Sequence, residues 1–431
     1  MSTLLALLIA CTPQLTSPPV APSLSTDVVS TDVAPAAEQH RPVMSYDEAL
    51  ANLDTNLIRA RSLAARYATD GGRWAEVAAL WATRGRMTGS YGDLARAEDA
   101  YSVSFALAPE GAGPLLGRAR LHLSLHRLDA AEADLDVVDG HLMLDDSKQA
   151  EILRLRGDLA LQRGEIDDAT ALYQRSMALQ PTLSARYGLT QLQLWRGEHD
   201  ATLAGLDEVE AMVVGDAPSV RMWLELQRGI VELSRERYDE ALAHYLDAEA
   251  RLPGHWLVAE HIAEVTALLG RRDEALERYH AVVVATGHPE FMDAIAGLHL
   301  GAGDAKTAEP WLARAEAAYA RQLALFPEAA AGHALDHLLE HGSDPAQAVT
   351  LALANVATRP NAEAWTKLAT AHRQASELTA ARHALDQAIA QGWESLDRYE
   401  EERALAEALG DDARAGAATS RIAALKVGHA G

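Results

Sequence analysis

Apolar residues recur at helical spacing along most of the chain, and the stretch 222–254 shows this pattern in its clearest form. Two apolar runs are separated by a polar turn at 237–239, and the second run ends at Pro253 and Gly254. Residues three and four positions apart share one face of an α-helix, so each run predicts an amphipathic helix. Proline cannot continue the second helix because it lacks the backbone N–H. The stretch therefore predicts a pair of helices that needs a neighbour to bury its apolar faces.

The same pattern repeats along the chain. Ala241 and Tyr245 recur 34 positions later as Ala275 and Tyr279. A period of about 34 residues is typical of stacked helix–turn–helix repeats. We call the pattern of one 34-residue repeat the template. A further copy matches seven of its positions in order, namely Trp81, Gly85, Gly92, Ala97, Tyr101, Ser104 and Pro109. In these positions the sequence resembles the tetratricopeptide repeat family.

An alanine at the twentieth position of the template marks each unit. Nine such alanines can be placed along the chain: Ala97, Ala131, Ala169, Ala201, Ala241, Ala275, Ala308, Ala348 and Ala381. Three steps between them are longer than the rest, which predicts extra residues in connections or lengthened helices near Asp145, Asp216 and Phe326. The resemblance implies an all-α fold, a right-handed α-solenoid of about nine helix–turn–helix repeats.

The repeat array is predicted to cover residues 72–392. Ser45 and Glu48 match a capping box, so a helix is expected to start there and to cap the array over 45–71. Residues 393–431 are more polar and are expected to form closing helices, which a repeat array needs at its ends to remain soluble.

The first 44 residues carry no helical period. Residues 1–10 end in a short apolar run, which the single cysteine, Cys11, follows directly. The segment Leu8–Cys11 resembles the lipobox of bacterial lipoproteins, which implies a signal peptide, cleavage before Cys11 and lipid modification of its thiol. Thr12 stands where that family places an inner-membrane retention aspartate, which implies the outer membrane. Residues 11–44, rich in proline, serine and threonine, are expected to form a mobile tether.

Composition favours helices and argues against two classes of function. Aromatic residues make up only 5% of the chain, while alanine, leucine, arginine and glutamate are abundant. The formal net charge is −24 and no basic stripe is visible, which argues against nucleic-acid binding. The sequence contains no Gly-rich phosphate loop, cysteine cluster or nucleophile elbow. We therefore expect no cofactor and no catalytic residue.

In the tetratricopeptide family the first helices of the repeats line a concave groove. The resemblance implies partner-binding side chains at the groove positions of three successive repeats: Tyr187, Gln191, Leu194, Trp195, Trp223, Leu226, Ile230, Glu260 and Glu264. Large aromatic groups on an open face are common anchors for a bound peptide or helix. The alternative interpretation is that these aromatic residues pack between neighbouring repeats.

Three histidines, His333, His337 and His341, are spaced four residues apart and are predicted to share one helix face. The template turns this face towards the groove, where Asp293 of the preceding repeat is the nearest further ligand. Two histidines at this spacing can bind one metal ion. The segment 333–337 also resembles the H-x-x-E-H signature of inverted zinc peptidases, although Asp336 replaces the required glutamate. The alternative is a solvated or pH-sensitive stripe without metal.

Two further expectations concern single positions. His255, His261 and His280 are scattered over the predicted array and are expected at the surface or between repeats. Pro310 falls within a predicted second helix, and a helix capped by Thr307 would place this proline in the first turn, where proline is tolerated.

These features predict an interaction scaffold rather than an enzyme. A protein or peptide partner would lie in the concave groove, and a lipid on Cys11 would hold the scaffold at the bacterial envelope. One alternative is a metal-binding or zinc-dependent hydrolytic protein that uses the histidine stripe. A second alternative is a structural envelope component that binds nothing in its groove. Repeat similarity alone does not identify the partner.

Overall fold

The structure, a computed structural model, describes residues 44–141 and 143–427. Within these residues the chain folds into 21 α-helices and contains no β-strand. The signal peptide predicted at 1–10, the lipidation site Cys11 and the tether up to residue 43 lie outside the described residues, so they stay predictions. Residues 428–431 lie outside them as well.

The helices follow one another with short connections. The first seven are α1 (Tyr46–Arg66), α2 (Gly71–Thr88), α3 (Tyr91–Leu107), α4 (Leu115–Ser124), α5 (Leu128–Asp139), α6 (Asp146–Arg163) and α7 (Ile166–Leu179). The next seven are α8 (Leu183–Trp195), α9 (His199–Ala211), α10 (Pro218–Leu233), α11 (Tyr238–Arg251), α12 (Trp256–Leu268), α13 (Arg272–Thr286) and α14 (Pro289–Gly301). The last seven are α15 (Ala305–Leu325), α16 (Pro327–His341), α17 (Pro345–Thr358), α18 (Ala362–Gln374), α19 (Leu378–Ala390), α20 (Leu396–Leu409) and α21 (Asp412–Val427).

Helices α2 to α19 form nine consecutive pairs in the described part of the chain, and the second helix of each pair also packs on the first helix of the next. The prediction of an all-α solenoid of nine tetratricopeptide-like repeats is therefore confirmed. Helix α1 packs on α2 at the front of the array, and α20 and α21 pack on each other at its end.

The capping box predicted at the start of α1 is confirmed. The hydroxyl of Ser45 accepts a hydrogen bond from the Glu48 amide at 3.2 Å, and a carboxylate oxygen of Glu48 accepts one from the Ser45 amide at 2.8 Å. Two backbone donors that a helix start leaves unpaired are thus satisfied, which explains why the helix begins there.

In two of the pairs, a glycine on the first helix makes room for a tyrosine from the second. A Cβ atom added at Gly229 would lie 2.2 Å from Cε1 of Tyr245, and one added at Gly157 would lie 2.6 Å from Cε1 of Tyr173. Both tyrosines are fully buried. The two helices of a pair can approach closely only because these glycines have no side chain.

The three longer steps of the template correspond to real additions. Long connections join α5 to α6 (140–145) and α9 to α10 (212–217), and α15 is lengthened to 21 residues before Phe326.

The interpretation of Pro310 is wrong in detail. Asp304, not Thr307, caps α15 by accepting a hydrogen bond from the Thr307 amide at 3.1 Å, so Pro310 lies inside the helix beyond its first turn.

The solenoid closes on itself, because residues far apart in the sequence meet across its inside. The hydroxyl of Tyr91 donates to the Ala329 carbonyl, 238 positions away, at 3.3 Å. The indole of Trp256 donates to the Met87 carbonyl, 169 positions away, at 2.7 Å. Such contacts are absent from an open array, in which each repeat touches only its neighbours.

The far end of the chain closes on the middle of the array in the same way. The amide of Glu394 donates to the Trp195 carbonyl at 2.9 Å, and Nζ of Lys426 on α21 lies 2.8 Å from a carboxylate oxygen of Glu236. One consequence is that every residue of α10 from Met222 to Glu232 is buried. The inner face of the array is therefore covered by the chain itself instead of forming an open groove.

Candidate functional site

A cavity of about 450 Å³ lies between the inner helices of the array and the end of the chain. Its wall on one side is formed by the inner helices α8, α10 and α12, and on the other side by α18, by the segment 393–395 and by α20 and α21. Glu236 lines one edge of the cavity and is exposed, so the cavity opens to the protein surface at this edge. The cavity exists only because the end of the chain folds back over the middle of the array.

The cavity wall is strongly acidic. Its lining contains six carboxylates and neither lysine nor arginine: Glu236, Glu264, Glu363, Glu394, Asp397 and Glu400. Basic residues behind the wall neutralise part of this charge, since Glu363 lies 3.0 Å from Lys367 and Glu394 lies 3.1 Å from Arg398. Glu264 and Glu400 have no lysine or arginine within ion-pair distance among residues 44–141 and 143–427. The cavity therefore offers a negative surface that favours cations.

Two tryptophans form the aromatic part of the wall. The rings of Trp195 and Trp393 lie 5.7 Å apart, and the indole N–H of Trp195 donates to the Gln391 carbonyl at 3.3 Å. Both side chains are buried, and Tyr238 joins them in the lining. Aromatic faces beside carboxylates are suited to binding an organic cation, because the ring face is electronegative.

Five of the nine predicted groove residues line this cavity: Gln191, Leu194, Trp195, Ile230 and Glu264. The other four do not, since Tyr187, Trp223, Leu226 and Glu260 are only 6, 2, 0 and 0% exposed and lie within the protein interior. The expectation that these four side chains face an open groove is therefore corrected, and the physical reason is the closure of the solenoid over its own inner face. Whether any of the nine binds a partner stays a prediction.

For two of the buried aromatics, the alternative interpretation describes the structure. The Tyr187 ring packs edge-on against Trp223 with 6.4 Å between ring centres. The Tyr187 hydroxyl donates to the side-chain oxygen of Gln227 at 2.6 Å. Tyr187 and Trp223 thus hold neighbouring repeats together.

A group that the sequence did not single out lies beside the cavity. This group lies on α12 and consists of Glu260, His261 and Glu264. Each of the three side chains has one nitrogen or oxygen atom able to coordinate a metal ion, and these three atoms lie within 4.8 Å of one another. His261 was expected at the surface or between repeats, and it is 1% exposed and lines the cavity together with Glu264. The spacing of two glutamates four residues apart around a histidine is visible in the sequence, but only the fold shows that all three are buried.

The buried charges of this group strongly perturb one another. Burial, followed by the charge of Glu260, raises the pKa of Glu264 to about 8. Burial opposes protonation of His261, but the neighbouring carboxylates, Glu260 first, raise the pKa of its imidazole above the ordinary value. Both directions indicate an excess of negative charge in a poorly solvated place.

The predicted histidine stripe lies elsewhere, on α16. Nδ1 of His337 lies 2.9 Å from Oδ1 of Asp293, so the expected neighbour is present, and the rings of His337 and His341 are 5.9 Å apart. His333 lies 3.7 Å from Glu290 instead. Within the described ranges these residues do not form a group of three close ligand atoms.

The stripe is not uniformly solvated, because His333 is buried whereas His337 and His341 are partly exposed. His333 is buried, and burial together with the charges of Lys367 and Arg359 lowers the pKa of its imidazole to about 3. Asp336 does not stand in for a catalytic glutamate, because its carboxylate accepts a hydrogen bond from Lys367 at 2.8 Å. These contacts are those of a buried polar network between repeats.

Comparisons with known proteins add a likeness of fold. No protein-family model matches the sequence, and no curated protein matches it. The chain is similar to a chain in the crystal structure of the APC/C hetero-tetramer Cut9–Hcn1, with 15% identity and a TM-score of 0.40, covering 89% of this chain and 85% of that one. It is also similar to a tetratricopeptide repeat protein from Parabacteroides merdae, with 20% identity and a TM-score of 0.38, covering 53% and 87%.

A third similar structure is a thermophilic tetratricopeptide repeat protein of Thermus thermophilus. The identity is 25% and the TM-score 0.34, covering 47% of this chain and 99% of that one. These likenesses concern the helical-repeat architecture alone. The functional assignment of this chain therefore rests on its own residues.

Proposed function

We propose that this protein is a non-catalytic interaction scaffold that binds a lysine- or arginine-containing segment of a partner protein in its acidic cavity. The observation that carries the proposal is the lining itself, in which six carboxylates and two tryptophans meet without any lysine or arginine. Charge complementarity of this kind selects basic ligands and rejects acidic ones.

The dimensions of the cavity fit this role. Ligand-binding clefts in proteins usually enclose about 300–1,000 Å³, and the volume here is about 450 Å³. An ammonium or guanidinium group can lie against Trp195 and Trp393 while its charge faces Glu400. A whole helix laid along a groove is not the ligand that this shape favours, because the inner face of the array is closed.

The proposal is tested by calorimetric titration of the full chain with two short peptides that differ only in carrying lysine and arginine or aspartate and glutamate. The basic peptide is expected to bind and the acidic one is not. Binding of the basic peptide should weaken as salt is added, because screening reduces attraction between partly exposed charges.

A matched pair of variants locates the site. Glu400 lines the cavity, whereas Glu407 on the same helix is exposed and lies outside it. Glu400→Gln should weaken the basic peptide about fivefold, which corresponds to ~1 kcal/mol for one partly screened ion pair. Glu407→Gln changes the net charge equally and should leave the affinity unchanged. Equal binding of the two peptides, or equal effects of the two variants, would exclude the proposal.

We also propose that the scaffold works at the bacterial envelope, anchored by a lipid on Cys11. The support is the sequence pattern around Cys11 and the proline-rich stretch after it. No helix within residues 44–141 and 143–427 is long and apolar enough to cross a membrane. The test is labelling with a radioactive fatty acid in a bacterial host, in which the wild type should be labelled and Cys11→Ser should not. Retention of label by the variant would refute the anchor.

A further inference from the structure

The glutamate–histidine group on α12 is a deeply buried polar cluster on the inner face of the array. Glu260, His261 and Glu264 are 0, 1 and 8% exposed. One ligand-type atom from each lies within 4.8 Å of the others. A zinc ion bound at ~2 Å to each of three donors needs donor atoms about 3–4 Å apart, so small side-chain adjustments suffice to complete such a site.

Most polar atoms of this group have no hydrogen-bond partner. Both carboxylate oxygens of Glu260, both ring nitrogens of His261 and Oε2 of Glu264 are buried and unpartnered. Nδ1 of His261 is 2.6 Å from Oε2 of Glu260 and 3.9 Å from Oε2 of Glu264, but neither contact has hydrogen-bond geometry. Leaving a buried polar atom without a hydrogen bond is unfavourable, so five such atoms at one place point to an occupant.

No lysine or arginine lies beside the carboxylates of this group in the part of the chain that the structure describes. Histidine is the only positively chargeable residue within 4 Å of Glu260 or Glu264 in the described part of the chain. The hydroxyl of Tyr245, whose ring lies 5.2 Å from that of His261, is unpartnered as well. A cation bound between these two carboxylates would supply the positive charge that a lysine or arginine supplies elsewhere in a protein interior.

We propose that Glu260, His261 and Glu264 bind a divalent transition-metal ion, with zinc as the best-fitting ion, at the inner end of the acidic cavity. One imidazole nitrogen and two carboxylate oxygens are a common ligand set for zinc, and water from the cavity supplies a fourth ligand. His261 and Glu264 line the cavity, so the ion can enter from it. The Tyr245 hydroxyl could orient one of these ligands by a hydrogen bond without binding the ion itself.

This site differs from the peptide-binding surface proposed for the same cavity. A basic side chain would be attracted mainly by Glu400 and does not depend on coordination by His261, whereas a zinc ion uses the imidazole nitrogen as a ligand. The effect of changing His261 therefore distinguishes a metal ion from an organic cation as the occupant.

The test is calorimetric titration of the full chain, freed of metal with a chelator, with zinc chloride. The wild type is expected to bind one ion and to melt at a higher temperature with zinc than without it. His261→Ala and the nearly isosteric Glu264→Gln should each weaken zinc binding more than about 100-fold, the loss expected for a ligand when supporting residues alone account for 10–100-fold. Magnesium, which prefers oxygen ligands, should bind far more weakly.

His337→Ala is the matched control, since His337 also lies beside a carboxylate, Asp293, but in no group of three ligands. It should leave zinc binding unchanged. Circular dichroism of each variant excludes loss of the helical fold. Absence of zinc binding to the wild type, or equal loss in His337→Ala, would overturn the metal site. About fivefold weaker basic-peptide binding in Glu400→Gln with zinc binding retained would separate the two sites.

Discussion

At the residue scale, the contact between Gly229 and Tyr245 explains why the repeat template requires a small residue on the first helix. The tyrosine is fully buried, and its Cε1 occupies the place that a Cβ at position 229 would take, at a separation of 2.2 Å. A methyl group there can be accommodated only if the two helices of the repeat move apart.

Gly229→Ala should therefore lower the free energy of unfolding by about 1–3 kcal/mol through overpacking. Gly297 on α14 is the control, because a Cβ added there meets no atom within 4 Å. Gly297→Ala should stabilise the protein by about 0.5–1 kcal/mol, since alanine loses less entropy than glycine in a helix. Urea denaturation measures both changes, and shifts of the same sign would contradict this packing.

His126 is a second residue whose surroundings predict a measurable effect. It is buried, and its Nδ1 lies 2.7 Å from the side-chain oxygen of Gln162. Burial, and then the charge of Arg359, lower the pKa of His126 from 6.5 to about 3, partly opposed by Gln162 and Glu363. Below pH 6.5 the unfolded chain binds a proton at His126, whereas the folded chain does not. The contribution of neutral His126 to the stability of the fold is therefore fully present above pH 6.5 and is lost as the pH falls towards 3.

His126→Asn removes this proton uptake, and asparagine tolerates the positive φ of 56° at this position. The free energy of unfolding of the variant, relative to that of the wild type, should rise by up to about 1.4 kcal/mol for each pH unit of acidification within that window, whatever the difference between the two at neutral pH. Urea denaturation at a series of pH values measures the difference. A difference that does not change with pH would contradict the buried neutral state of His126, and exposed His383→Asn is the control.

At the element scale, α15 tolerates a proline beyond its first turn. Pro310 is exposed, and its nitrogen cannot donate to the carbonyl of Lys306. The sequence template was not able to place this proline, because it assumes a helix of ordinary length, whereas α15 runs for 21 residues from a cap on Asp304.

Pro310→Ala should restore the missing hydrogen bond and raise the free energy of unfolding by about 1–3 kcal/mol. Thermal unfolding of the variant beside Glu309→Ala, a change at a neighbouring exposed position, measures the gain. A melting temperature below that of the wild type would show that the proline is needed to shape α15.

Most of the elements themselves could be predicted, because their causes are local. The apolar period, the capping box at Ser45 and the alanines at the twentieth template position all act within one or two helices. The fold class and the lengthened steps near Asp145, Asp216 and Phe326 followed from this pattern and from the family resemblance that it carries.

At the scale of the whole molecule, the closure of the solenoid could not be predicted from repeat patterns. It depends on contacts such as Tyr91 with Ala329 and Trp195 with Gln391, which join residues about two hundred positions apart. No periodic signal records which distant turns meet. For this reason the sequence assigned Tyr187 and Trp223 to an open groove, and it gave no sign that Asp397 and Glu400 belong to the same site as Glu264.

Closure should couple the stability of distant repeats. Trp393→Ala removes the ring that packs on Trp195, so amide hydrogen exchange should accelerate in α8, although this helix lies almost two hundred positions earlier. Trp311→Ala, which removes a ring that packs on His280 away from the cavity, is the control and should leave α8 unchanged. Unaltered exchange in α8 of the Trp393 variant would show that the two ends are stabilised independently.

The same contacts determine how the molecule responds to force. An open solenoid stretches like a spring, because each repeat can tilt on its neighbour without losing many bonds. In this chain the hydrogen bonds from Tyr91 to Ala329 and from Trp195 to Gln391 connect distant repeats across the inside of the coil. A force that pulls the ends apart acts on these hydrogen bonds before any repeat tilts. The first extension should therefore occur as an abrupt opening rather than as a gradual stretch.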